Sequence, residues 1–407
     1  MIADISAGRT VLVEDFSGNL SAFSEGIRPD INHELIKVAE RLKSWSGDFA
    51  IVANNDSADA LIFEAVWAQG AETANAHVRL LVRRTGHGDW FKLEDPIWDG
   101  KPWKAAFYSF KGGVGRTTAL LAFAIHATRI GQSVFLIDAD LDSPGLYAVF
   151  QDRRDSPPAD MGLVDYLVAI KSGVQPAIAD YVSSHVLVEG GAPCYLLHGG
   201  TVNAEYLDKL SRADTGMLAA DRSEGFRRLM SSIRDEYLPD WILLDTRSGL
   251  SDSAALATSG LFDLVVAVAT NTEQNWLGLT QIADRLGRAR VKLDKDQHDC
   301  LFIQSLVPPG ESQFGISTES FKAKATEVME QNYYVESGGD EGGRFLTVDD
   351  ARGTDAPDTP AVIRVSERLS QYNRLASIVD DIVRDGDYER FATRILSRYD
   401  ETLEAAE

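Results

Sequence analysis

Eight consecutive residues carry the chemistry of this sequence: Lys111, Gly112, Gly113, Val114, Gly115, Arg116, Thr117 and Thr118. They follow the apolar run AAFYSF and precede ALLAFAIHA, which has the composition of a buried helix. A glycine-rich turn from a strand into a helix points successive backbone N–H groups inward, and the positive end of the helix dipole adds to them. Such a turn holds phosphate oxygens, with glycine needed where a side chain would block the anion or forbid the backbone angles. The spacing G-x-x-x-x-G-K-[ST] is only partly met. Phe110 stands where the first glycine would be, and Arg116 stands where the lysine would be. Three aspartates lie at other apolar run ends: Asp138 and Asp140 close SVFLIDAD, and Asp245 closes WILLD. A carboxylate at a strand end beside a phosphate loop can hold Mg²⁺ through water, with the Thr117 hydroxyl as a direct ligand.

The elements that must position these residues follow a βα rhythm. Strands are expected in AAFYSF, SVFLIDAD (133–140), APCYLLHGG (192–200), DWILLDT (240–246), LVVAVATN (264–271) and CLFIQSLV (300–307). Helices are expected between them at 118–130, 161–172, 203–212, 222–236 and 276–290. Strands apolar on both faces and alternating with helices predict an α/β fold with a mostly parallel sheet covered on both sides.

Residues 1–100 predict a small α/β domain of their own. TVLVEDF (10–16), FAIVANN (49–55) and HVRLLVRR (77–84) have the pattern of strands. HELIKVAERLKSW (33–45) and ADALIFEAVWAQ (58–69) have that of helices. Asp15, Asn54, Asn55 and Asp56 stand at the run ends as loop caps or polar pocket residues. DPIWDGKPWK (95–104) is the expected connector, 101–310 the phosphate-loop domain, and 311–407 a region of acidic loops and helices that completes or extends it. Phe391, Ile395, Tyr399 and Leu403 form one helical stripe suited to docking on protein.

Composition narrows the classes. The 407 residues are 44% hydrophobic, enough for a sizeable core. The formal charge of −22 repels phosphate backbones and anionic lipid, disfavouring non-specific DNA binding and membrane-surface binding. No run approaches the roughly 18 uncharged apolar residues of a membrane span, and Met1–Val13 lacks the basic start and apolar stretch of a secretory signal. A cytoplasmic location is expected. Cys194 and Cys300 are far apart, which predicts two ordinary thiols, and the seven histidines show no zinc-ligand pairing. His198 stands at a run end, as a core residue or a ligand.

KGGVGRTT resembles the deviant phosphate loop of the MinD/ParA family of P-loop ATPases, K-G-G-x-G-K-[ST]-[ST], in an Arg-bearing branch. Within residues 105–310, LIDADLDSPGL (136–146) resembles the family's switch I, LLDTRSGLSD (243–252) its switch II, and ATNTEQ (269–274) its adenine-side loop. The resemblance implies an ATP- and Mg²⁺-dependent switch that forms a homodimer, hydrolyses ATP slowly and gates an unidentified protein partner. It implies that Lys111 reaches the partner subunit's nucleotide, and that Gly112 to Thr118 cradle the phosphates, Thr118 at the α-phosphate. Thr117 would ligate Mg²⁺ with support from Asp138 and Asp245. Asp140 would position the attacking water, Gly249 would sense the γ-phosphate through its N–H, and Asn271 would read adenine. Arg116 departs from the family's second lysine; its planar guanidinium favours a slow timer over a fast motor. Arg247 either turns to a phosphate or pairs with an aspartate. The alternatives are a non-hydrolysing scaffold or sensor in a bacterial regulatory or defence system and an autokinase resembling bacterial tyrosine kinases, although Tyr372, Tyr388 and Tyr399 do not form that family's terminal cluster.

Overall fold

The structure, a computed structural model, describes residues 9–14, 20–25, 50–52, 57–73, 76–82, 93–151, 159–213, 223–293, 299–334, 356–369 and 374–399. Met1–His87 and Gly88–Glu407 form two compact units. The segment 95–104 therefore lies within the second unit, as does everything beyond residue 310.

In the first unit, β1 (Thr10–Glu14), β2 (Leu20–Ser24), β3 (Ala50–Val52), helix α1 (Ser57–Gln69), β4 (Ala71–Glu72) and β5 (Val78–Val82) follow in chain order. The five strands form a mixed sheet in the order β3-β2-β1-β5-β4. Alternation in TVLVE turns Val11 and Val13 to the same face, where they pack with Phe63 and Val66 of α1. Strand β2 has too few β-formers to stand out in sequence; its pairing with β1 creates it. The expected helix at 33–45 and the polar residues Asp15, Asn54, Asn55 and Asp56 lie outside the described residues.

The second unit begins its sheet with β6 (Trp103–Tyr108), followed by α2 (Arg116–Arg129), β7 (Val134–Asp138), α3 (Leu146–Phe150) and α4 (Leu163–Lys171). Next come β8 (Ser183–Val186), β9 (Pro193–Leu197), α5 (Tyr206–Arg212), α6 (Glu224–Tyr237), β10 (Trp241–Asp245) and α7 (Asp252–Ala257). The chain continues through β11 (Leu264–Ala269), α8 (Glu273–Leu293), β12 (Asp299–Val307), α9 (Glu311–Val328), β13 (Ala361–Arg364), α10 (Val379–Arg384) and α11 (Gly386–Arg398). The eight strands are ordered β13-β12-β11-β6-β10-β7-β9-β8. All neighbours are parallel except the β8–β9 edge pair.

All six expected strands of this unit form, and β8 and β13 are additional. Strand β13 lies where mainly helices are expected. Four residues, AVIR, carry no pattern of their own, and the adjacent β12 supplies the hydrogen bonds that make them a strand. Side chains alternate across β6. Ala105 and Phe107 enter the core beneath α2 and α11, whereas Ala106 and Tyr108 enter the cores on the opposite face. Of the C-terminal stripe, Phe391 and Ile395 are buried and Tyr399 packs beside them. Phe391 reaches Phe107 at 6.4 Å and Phe123 at 6.5 Å, so the stripe docks on the unit's own core. Leu403 lies outside the described residues. None of the helices searched among the described residues is long and apolar enough to cross a membrane.

A buried ion pair fixes the amino end of β6. The side chain of Lys104 is fully buried, and its Nζ stands 2.9 Å from Asp263 Oδ2, donates to Trp98 O at 3.1 Å and lies 4.6 Å from the Trp98 ring. Removing one partner leaves the other charge buried and uncompensated. Lys104→Met should therefore cost about 3–5 kcal/mol, read as a fall in the urea midpoint of the second unit. Adding Asp263→Leu should recover most of that loss, and a double variant as unstable as the single one would contradict the pairing.

Candidate functional site

Parallel register assembles the site. It pairs Asp245 at the end of β10 with Asp138 of β7 on one side and Phe107 of β6 on the other. The carboxylates and the loop after β6 thus emerge at one end of the sheet, where open α/β folds bind ligands. Within the loop, Gly113 has φ 75° and Gly115 has φ 85°, both left-handed. A Cβ at either position would meet nothing within 4 Å, so the requirement for glycine is conformational and not one of space. Val114 between them is buried in the α2 core and pins the loop. Helix α2 starts from Gly115 with no side-chain cap and no acidic residue in its first turn, and the positive end of its dipole lies at the loop.

Phe110 also anchors the loop. It packs at Gly278 of α8, where a Cβ would lie 2.1 Å from its Cγ. A phenylalanine in place of the first motif glycine thus serves packing against Gly278, the sixth residue of α8.

The charged residues form one network. Arg116 Nε donates to Asp245 Oδ1 at 2.6 Å, and its Nη2 donates to Asp140 Oδ2 at 3.1 Å. Thr117 Oγ1 donates to the other Asp245 oxygen at 2.7 Å. Asp138, fully buried, accepts from the N–H groups of Asp140, Gly145 and Leu146 at 3.1–3.2 Å. Burial first, and then the nearby Asp245 charge, push the Asp138 carboxyl up to about 7. Burial likewise raises Asp140, against the pull of Arg116, and its Oδ1 is buried with no hydrogen-bond partner among the described residues.

The expected metal set of Thr117, Asp138 and Asp245 stands together at this end of the sheet, with the two aspartates paired in register on adjacent strands and Thr117 at the cleft. Both oxygens of Asp245 and both of Asp138 accept hydrogen bonds, and the Thr117 hydroxyl donates its proton to Asp245, which leaves lone pairs on its own oxygen for a cation. Arg116 is held by carboxylates, where the resemblance implies that it contacts phosphate.

A cleft of about 730 Å³ opens beside the loop. Gly112, Gly113, Gly115, Arg116, Thr117, Thr118 and Asp140 line it, as do Asp142, Arg247 and Ser248. Leu306, Arg364, Ser366, Leu369 and Tyr388 line it as well, contributed by β12 and the C-terminal region. Sequence reading missed these five, because no local motif marks them. Arg364 is held by a two-pronged pair with Asp387, 2.8 Å in each arm.

Other expected residues are placed differently. Asn271 is outside the cleft lining, accepting from Trp276 Nε1 at 3.0 Å and donating to Ser317 O at 3.5 Å. The N–H of Gly249 donates to Ser109 O at 3.0 Å and is committed in this conformation. Arg247 pairs with Asp142 at 2.6 Å, one of its two expected alternatives. Lys111 is exposed, its ammonium 5.8 Å from the Phe110 ring. His198 is a buried core residue bonded to Ala159 O. Tyr388 and Tyr399 are largely enclosed, and Tyr372 lies outside the described residues, so the described residues form no exposed tyrosine cluster.

No protein-family model matches the chain, and no curated protein does either. Among solved structures, it is similar to MinD from Pyrococcus horikoshii OT3 complexed with Mg-ADP, at 18% identity and TM-score 0.43, over 74% of this chain and 97% of that one. It is similar to pNOB8 ParA at 15% identity and TM-score 0.46, over 75% and 99%. It is also similar to a putative plasmid partition protein from Borrelia burgdorferi B31 bound to AMPPNP, at 16% identity and TM-score 0.42, over 75% and 100%. The likeness is one of fold, an α/β architecture on a mostly parallel sheet.

The raised Asp138 carboxyl sets a direction for pH. An unfolded aspartate titrates near 3.9, so between about pH 4 and about pH 7 the folded chain binds the extra proton. The stability from this group is full below the unfolded value and is lost as pH rises through about 7. The urea midpoint should fall from about pH 5 to about pH 8, and more steeply in the wild type than in Asp138→Asn. Equal slopes would refute the assignment.

Proposed function

We propose that this chain is an ATP-binding switch of the MinD/ParA type in the cytosol, associating as a dimer on nucleotide and hydrolysing it slowly. The observation that carries this reading is the loop geometry: two left-handed glycines and a helix start without a side-chain cap line a cleft together with Asp140 and Asp142. Backbone N–H groups so arranged suit a triphosphate tail. The cleft has room for a nucleoside, with Tyr388 and Leu369 as apolar surface for a base and Arg364 and Ser366 as polar contacts.

Lys111 stands exposed at the loop, with no ion pair among the described residues. An ammonium so placed is suited to a phosphate held by a second copy, where it would stabilise charge that grows during phosphoryl transfer. The buried Asp140 Oδ1 suits the orientation of a water. A protein partner would then be gated by nucleotide.

Light scattering tests the switch. Mass should double on adding ATP in magnesium buffer, and Lys111→Ala should bind ATP yet stay monomeric. A wild-type chain whose mass ignores ATP would overturn the dimer reading. Gly113→Val should weaken ATP binding by more than about tenfold, because a β-branched side chain cannot hold φ near 75° without strain. Unchanged affinity in calorimetry would exclude this loop as the phosphate site.

One observation favours the second reading, a binding-only scaffold or sensor: Arg116 occupies Asp140 Oδ2, restraining the residue expected to handle water. Phosphate release equal in wild type and Asp140→Ala would select it.

A further inference from the structure

We propose that the groove between α4 and α6 is a docking site for a short segment of a partner protein in which apolar side chains flank a lysine or arginine. It shares no lining residue with the loop cleft and does not depend on what that cleft holds. A cavity of about 740 Å³ opens there, within the size range of ligand sites. Residues of α6 from Glu224 to Glu236 border it at steps of three and four, so the groove follows the helix for about 18 Å. That length suits about five or six residues of extended chain, at about 3.3 Å each.

The two walls differ in chemistry. Phe226, Leu229, Met230 and Ile233 of α6 are buried in the core, so the helix turns its polar face to the groove. Opposite stand Ile97, Ile170, Val174 and Pro176, and Val174 is 56% exposed. A ligand that covers both walls needs apolar and polar side chains together.

The charges decide the sign of the polar part. Arg227 is held by Glu94 at 3.6 Å and donates to Asp95 O at 2.7 Å. Arg228 pairs with Glu224 at 3.1 Å, and Asp235 with Arg234 at 2.7 Å. Glu236 is left as a lining carboxylate with no ion pair among the described residues. Beside these charges the groove carries an unused phenol. Tyr166 is only 4% exposed and borders the cavity, yet its hydroxyl has no hydrogen-bond partner among the described residues. Buried phenols ordinarily find one. Burial first, and then Tyr181 and Glu236, push this phenol up, so at neutral pH it keeps its proton and its acceptor lone pairs. An ammonium or guanidinium entering the groove can donate to the Glu236 carboxylate and to the Tyr166 oxygen, which an anionic side chain cannot. The formal charge of −22 draws basic segments toward the chain from a distance.

The experiment is selection of a random nonapeptide library, displayed on phage, against the immobilised full chain, followed by fluorescence anisotropy with the enriched peptides. Those peptides should combine lysine or arginine with apolar residues. Glu236→Arg should weaken them by more than about tenfold, and Tyr166→Phe by about three- to tenfold. Glu189→Arg makes the same charge change at an exposed site outside the groove and should cost less than about twofold. Because the Tyr166 hydroxyl has no internal bond to lose, Tyr166→Phe should leave the urea midpoint unchanged, which separates a lost contact from a lost fold. No enrichment, enrichment of acidic or wholly apolar peptides, or equal losses in Glu236→Arg and Glu189→Arg would overturn the proposal. Self-association of the chain that Glu236→Arg abolishes would assign the groove to a second copy and overturn it as well.

Discussion

Two carboxylates at the ends of adjacent strands, Asp138 on β7 and Asp245 on β10, set the constraint around which the phosphate-loop unit is organised. Parallel pairing places them at equal height beside the loop after β6. Both are nearly or fully buried, and a buried carboxylate is costly unless hydrogen-bonded, paired or protonated. Each remedy appears here. Asp138 takes three backbone N–H bonds and is shifted toward its protonated form. Asp245 takes the Thr117 hydroxyl and the Arg116 guanidinium.

The same logic operates at the opposite end of β6, where Lys104 and Asp263 neutralise each other in the interior. The central strand is therefore held by buried charge pairs near both of its ends. One is closed off and structural. The other opens onto a cleft through Arg116.

The C-terminal region is continuous with this site. Helix α11 buries Phe391 and Ile395 against Phe107 and Phe123, and the same region brings Tyr388 to the cleft. Strand β13 extends the sheet beside β12 and ends at Arg364, which Asp387 of α11 fixes in a two-pronged pair. Core packing and cleft lining are thus two sides of the same few elements, and the residues after 360 are part of the phosphate-loop unit.

The sequence by itself determined the parts that depend on local pattern. Runs such as WILLD and LVVAVA are apolar on both faces and form strands wherever helices can cover them, so the strands of the parallel sheet were legible. Glycines that must adopt positive φ announced the loop, and aspartates closing apolar runs announced the site's carboxylates. Only the tertiary structure decided which groups meet. The pairing of Arg116 with Asp245 joins residues 129 positions apart, the seating of Phe110 on Gly278 joins two distant segments, and the placement of Tyr388 and Arg364 in the cleft depends on the sheet order. Strands β2, β8 and β13 likewise exist because a neighbour supplies their hydrogen bonds. The physical reason is the same throughout: backbone conformation follows from nearby residues, whereas burial, and with it the demand for a partner charge or a complementary surface, follows from where distant segments come to rest.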